Sequence, residues 1–346
     1  MFAAVGLCVG ATACDHNDDD AWKPPGKGQA AVLLDRGQSD ALADLLGYEV
    51  KALTTAPDGT VYSMQHGIQR INNDRTVKSV GSEATQGSSG LVVLPDRSLV
   101  FGKDHALYKY GSNGQVSVLA GVPGKHRSAT AQAPESATAH GFRFADDHVA
   151  PLGVRPDGSL IVLDGHVVWS LAKDRLTRVY ELPAGDRETR TLAGYPSTAV
   201  DRTGTVYITS DPWTHSSEFS HIKDVTAIRT DGTTTPLALP RSVAGVKGSP
   251  GDLTVVSLTG DGAEGVYANA YGEEAHYLLH LHAGRAELVA RSRNSQQTSK
   301  YADQCELKDT VDAEQLPCAL PKFMTYGGGK LVLAGDTQYF LQIGIN

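Results

Sequence analysis

The chain has 346 residues and a formal charge of −8, from 31 Lys and Arg against 39 Asp and Glu. Charged residues make up 20%, hydrophobic residues 40%, and there are 37 glycines and 16 prolines. This balance excludes a disordered tail and a polybasic nucleic-acid binder, and it suits a turn-rich globular fold.

In chain order, residues 1–13 (MFAAVGLCVGATA) form an uncharged apolar run ending in small residues. The run is too short to span a bilayer permanently and reads as a signal peptide. Ala11-Thr12-Ala13-Cys14 resembles a bacterial lipobox, which implies cleavage before Cys14 and lipidation of that cysteine. The expectation is therefore a bacterial protein outside the cell membrane, secreted or held there by a lipid anchor; a frayed N-terminus is the plain alternative. Residues 14–28 read as a polar linker and 29–346 as one domain. With Cys8 lost and Cys14 lipidated, Cys305 and Cys318 in QCELKDTVDAEQLPC are left to form a disulfide. Closing so short a loop stabilises by roughly 3 kcal/mol. A zinc motif would need two more ligands at regular spacing, and none follows.

Beyond the linker, QAAVLL (29–34) reads as a strand without a unit of its own, and SDALADLLG as one short helix with Ser39 at its N-cap and Gly47 past its end. Then one phrase recurs: an apolar run, a Pro-Asp-Gly type turn, and further alternating strands. It is clearest in KALTTAPDGTVYSMQHGIQRINNDRTVKSVG, SGLVVLPDRSLVFGKDHALYKYGSNGQVSVLAG and PLGVRPDGSLIVLDGHVVWSLAKDRLTRVYEL. Three looser copies begin STAVDRTG, DLTVVSLTGDG and PKFMTYGGG. The first turns fall at Asp58, Asp96, Asp157, Thr203, Glu264 and Gly328, with spacings of 38, 61, 46, 61 and 64. Period-two alternation at this repeat length predicts an all-β, six-bladed propeller of four-stranded antiparallel blades. The sixth unit ends after three strands, so the strand at 29–34 is expected to complete it and protect its edge.

The repeated phrase resembles NHL repeats, and LAGVPGKHRSATAQAPESATAHGFRF, with Ser136-Ala137-Thr138-Ala139, is similar to the Ala-rich element of longer bacterial versions. The resemblance spans residues 48–346 and implies the propeller fold. The family includes binding modules, sensors and a few enzymes, so it implies no single activity.

Two features are candidates for function. A histidine opens the third strand of several units: His66, His105, His166, His276 and, after an insertion, His221, with Thr337 in the sixth. Loops at that radius stand roughly 12–17 Å from the axis, too far apart to share one ion. The histidines then read either as local turn residues or as a surface that gains charge below about pH 6.5. The second feature is the set of insertions 121–150, 210–224 and 291–320, expected on the same face as the histidines and able to cover the channel. Trp213, His215, Glu218, Phe219 and His221 make the middle one a recognition loop, or else an internally packed one. The inner runs offer almost no inward carboxylate for a lactonase-type metal, and no metal or cofactor is expected. Glu274, His276 and His280 superficially match a streptogramin-lyase-like acid–base set. The reading favoured by the sequence is a cell-envelope binding or scaffold module for an extracytoplasmic protein or glycan, with no nucleic-acid partner. The alternative is a lyase- or lactonase-type enzyme with its site at the channel mouth.

Overall fold

A computed structural model of the chain describes residues 22–35, 42, 50–65, 67–81, 87–129, 131–187, 190–192, 196–212, 220–293, 305, 307, 309–335, 337 and 339–346. The signal segment and Cys14 lie outside these residues. Of the expected short helix only Leu42 is described; it is helical and packs on the junction of the sixth and first blades.

Six antiparallel sheets form a ring. The inner strands are Ala52–Thr55, Ser89–Val93, Ala150–Val154, Ala199–Val200, Thr254–Gly260 and Phe323–Gly327, and each touches the inner strand of the next blade, the last returning to the first. Six buried apolar clusters fill the six junctions between neighbouring blades. Alternation along each strand sends one apolar set to either neighbour, which is why a propeller needs no separate core layer. In blade 6, for example, Leu331 and Leu333 face blade 5 while Val332 and Ala334 face blade 1. Each such side chain contributes roughly 1.5–3 kcal/mol on burial.

The ring closes as the sequence predicts. Gln29–Asp35 pairs antiparallel with Tyr339–Gly344, placing Ala30 opposite Ile343 and Val32 opposite Leu341. Two additions were not legible: Ser136–Thr138 and Val311–Asp312 form fifth strands outside blades 3 and 6. Cys305 and Cys318 are disulfide-bonded, with Cα atoms 5.3 Å apart. Of the described part of the 291–320 insertion, Val311–Asp312 lies on the outer edge of blade 6, and Cys305, Leu316, Cys318 and Leu320 pack into the junction between blades 5 and 6. Among the described residues no helix is long and apolar enough to cross a membrane.

The turns that join the first strand to the second, and the third to the fourth, define a lower face. They are closed by side chains: Asp58, Asp96 and Asp157 each accept the backbone N–H two residues on, from Thr60, Ser98 and Ser159. In blades 4 and 5 the aspartate moves to the first position of the turn. There Asp201 accepts from Thr203 and Thr205, and Asp261 from Ala263 and Gly265. The turn of blade 5 is thus centred on Ala263, one residue before the position read from the repeat.

Candidate functional site

The upper face carries the second-to-third strand hairpins and the connections between blades. Its largest described feature is the 121–149 insertion, and blade 3 holds that insertion down. Asp164, at the upper end of its strand, is fully buried. Its Oδ1 accepts the backbone N–H groups of Ala145 and Asp146 at 2.7 and 2.8 Å, and its Oδ2 accepts Arg127 Nη2 at 3.0 Å. Trp169 Nε1 approaches the same oxygen at 3.4 Å, while Phe142 packs edge-on against Trp169 and Phe144. Farther out, Glu181 accepts the Ala133 N–H at 2.8 Å. Gly102 lets the end of the insertion cross blade 2, since a Cβ there would sit 1.5 Å from the Val149 carbonyl oxygen.

The insertion so placed walls two cavities. One, of about 400 Å³, is lined by His105, His126, Asp146, Asp147, His166 and Thr191. The other, of about 520 Å³, occupies the channel mouth and draws Lys51 from blade 1, Ser88 and Ser89 from blade 2, His148 and Asp146 from blade 3's approach, Pro196 before blade 4, and Lys322 from blade 6. Asp146 and Thr191 belong to both. Burial raises the Asp146 carboxyl above the ordinary range, with help from Asp147 and the Asp164 charge. Asp147 is held low despite its own burial, because His148 Nδ1 sits 2.6 Å from its Oδ1. Burial and the nearby Arg187 and Arg127 charges lower His166.

His105 occupies a two-residue hairpin with Asp104, both with positive φ (59° and 49°), where glycine would be relaxed. Non-glycine residues held in this region cost of order 1 kcal/mol and cluster at functional sites. The strain places the His105 ring 5.1 Å from that of His126. Its Nδ1 and the Ser88 hydroxyl are buried and have no hydrogen-bond partner among the described residues.

The structure thus gathers His105 and His166 in one cavity. His221 lies apart, at the start of a 3-10 turn over Ile222–Asp224, where its backbone N–H donates to Asp224. His66, Trp213, His215, Glu218 and Phe219 fall outside the described residues. Glu274, His276 and His280 are not brought together. Glu274 is exposed and paired with Lys247. His276 is wholly buried against the Tyr271 ring, 4.0 Å away between centroids, and burial pushes it down to about 3. His280 lies toward the lower face, 2.8 Å from Asp261. The residues missed around the two cavities are His126, Asp146, Asp147 and His148. The last three form a compact DDH run inside an insertion already singled out for its length, and His126 has no signal beyond lying in that insertion.

No family model matches the chain, and no curated protein matches it. Solved structures do. Virginiamycin B lyase from Staphylococcus aureus superposes with a TM-score of 0.51 at 11% identity, over 92% of this chain and 99% of that one. A gluconolactonase from Xanthomonas campestris gives 0.52 at 12% identity, over 91% and 88%. A Bacteroides thetaiotaomicron protein of unknown function gives 0.57 at 12%, over 91% and 75%. Likeness at these identities is a likeness of fold, and what it shows is the six-bladed propeller.

Proposed function

We propose that the chain is an exported, lipid-anchored binding module of the bacterial envelope, seating a segment of an extracytoplasmic protein or glycan at the mouth of its channel. The NHL-like repeat phrase and the lipobox-like Cys14 support the setting. The observation that carries the site is a pair of buried polar groups without a hydrogen-bond partner among the described residues, Ser88 Oγ and His105 Nδ1, on residues that line adjoining cavities. Buried polar groups are nearly always satisfied, so exceptions that line a cavity await a partner or ordered water. Lys51 and Lys322 against Asp146 and Asp147, with hydroxyls between, suit a polar ligand of mixed charge.

A photo-crosslinking residue at Thr191, compared with one at the exposed Val116 on the outer edge of blade 2, tests the reading in intact cells. A specific adduct from Thr191 alone is expected. Adducts from both positions, or from Val116 alone, would overturn the site, and adducts from neither would overturn the function.

A second reading, a lyase- or lactonase-type enzyme, draws on Asp146: a half-buried carboxyl with a raised pKa beside Asp147 and His148 is suited to proton transfer. Turnover of virginiamycin B or gluconolactone that falls at least about 100-fold in Asp146→Asn would establish it in place of the first.

A further inference from the structure

A different chemistry gathers on the lower face, between blades 5 and 6. A cavity of about 500 Å³ is lined by Asp261, Tyr267, His280, Glu287, Glu314 and Tyr326, among others. His280 stacks between Tyr267, at 4.6 Å between centroids, and His282, at 4.7 Å. Its Nε2 meets Asp261 Oδ2 at 2.8 Å, and the other oxygen of Asp261 is held by the Ala263 and Gly265 N–H groups. One ring nitrogen from His280, one from His282 and a carboxylate oxygen of Glu287 lie within 4.8 Å of one another.

Strand register shows that this set is peculiar to blade 5. His280 pairs with Glu287, and Val266 and Leu281 pair just above the turn. The equivalent positions are Lys109, Gly111 and Ser117 in blade 2, Ser170, Ala172 and Thr177 in blade 3, and Ala227, Arg229 and Thr235 in blade 4. Blades 1 and 6 carry Arg70 and Gln342 at the first of them. No blade but the fifth has a histidine or a carboxylate at any of the three. In blade 2 the first position does a purely electrostatic job, with Lys109 Nζ 2.6 Å from Asp96 Oδ2. Blade 5 keeps that contact with a side chain that has a second nitrogen to spare, and adds two ligating groups beside it.

We propose that blade 5 holds a divalent transition-metal ion of the zinc class through His280, His282 and Glu287. Asp261 is the orienting partner: it fixes Nε2 of His280 and leaves Nδ1 for the ion, the carboxylate–histidine–metal arrangement that sets tautomer and ring direction. Two nitrogens and a carboxylate oxygen suit zinc, which takes four ligands at about 2.0–2.2 Å and so brings them to about 3.4 Å from one another. His280 and Glu287 line the cavity, and rotation of the Glu287 and His282 side chains closes the difference from 4.8 Å. The fourth position faces the cavity and is open to water or a ligand atom. The site is independent of the channel mouth, so either proposal can fail alone.

The test is titration of the mature, chelator-stripped chain with zinc alone, followed by calorimetry and elemental analysis. Cobalt substitution reports ligand type from its visible spectrum. One equivalent is expected. His282→Ala and Glu287→Ala should each weaken binding at least about 10-fold, and Asp261→Asn about 10- to 100-fold, as outer-shell changes do. His280→Lys, which copies blade 2 and should fold, removes the site. His148→Ala, in the Asp146–Asp147–His148 cluster of the upper face, should leave affinity unchanged. No stoichiometric zinc, unchanged affinity in His282→Ala, or a loss confined to His148→Ala would overturn the assignment.

Discussion

Asp164 and Asp261 are built to one plan on opposite faces. In each, one carboxylate oxygen takes two backbone N–H groups and the other takes a basic side chain. The basic partner differs, and so does what is held. Arg127 is permanently charged and lies 37 residues away, so Asp164 fastens an insertion to a blade. His280 is an imidazole of the same blade, so Asp261 fastens only a turn and a ring. A permanent cation makes a clamp, whereas an imidazole makes a contact that answers to protons and metals.

Breaking the clamp should have the largest effect. Asp164→Ala leaves Arg127 and two N–H groups without their acceptor in a buried place, and breaking a buried pair costs roughly 3–5 kcal/mol. Urea unfolding should show that loss, and limited proteolysis should cut within 121–149. Retained protection of the insertion would mean that the aromatic packing of Phe142 and Phe144 suffices.

His276, on the same strand as His280, sharpens the comparison because it has burial without a carboxylate. Its folded pKa of about 3 lies below the usual 6.5, so between those values the unfolded chain binds the extra proton. Stability should therefore fall as pH drops below 6.5, by about 1.4 kcal/mol per unit and roughly 2–3 kcal/mol by pH 4.5. His276→Phe should flatten that slope whatever its offset at pH 7. An unchanged slope would show that the ring is protonated in the fold.

The smallest effect is expected at Asp261. Asp261→Ala should cost about 1–2 kcal/mol: the carboxylate is buried, but the tip of its turn, residues 262–264, is exposed, so water can replace part of what is lost. Burial raises this carboxyl, but the His280 contact and the two N–H donors outweigh it and hold it below the usual value. Its contribution is accordingly present above about pH 4 and fades as pH falls through the lowered folded value. Melting temperatures of wild type and Asp261→Asn should converge at acid pH; a constant gap would assign the effect to the backbone turn alone.

Much of the fold was legible because the repeat writes its own punctuation. The Pro-Asp-Gly phrase marks turns whose aspartates cap them, and period-two alternation marks strands that pack on both neighbours. The reading slipped by one residue in blade 5, where the capping aspartate stands at the start of the turn instead of its middle. The site was less legible. His105 and His166 are visible as repeat positions, but Arg127 meeting Asp164 is a long-range pairing that no local pattern carries. His280 and His282, two apart on a strand, share a side by the pleat alone. Glu287 joins them only through register with the next strand, which depends on the length of the turn between.

The strand at Gln29–Asp35 also has a kinetic meaning. Blade 6 cannot be completed until Ala30 meets Ile343, so the last sheet forms only when nearly the whole chain is available. Bringing such distant segments together carries a loop-closure cost on the order of 5 kcal/mol. Any product that stops short of residue 339 would carry five residues of buried apolar strand, Ala30 to Leu34, without the partner on their inner side. Such a fragment would pair with whatever edge it found, so the closure that protects the finished ring makes an interrupted chain prone to aggregate.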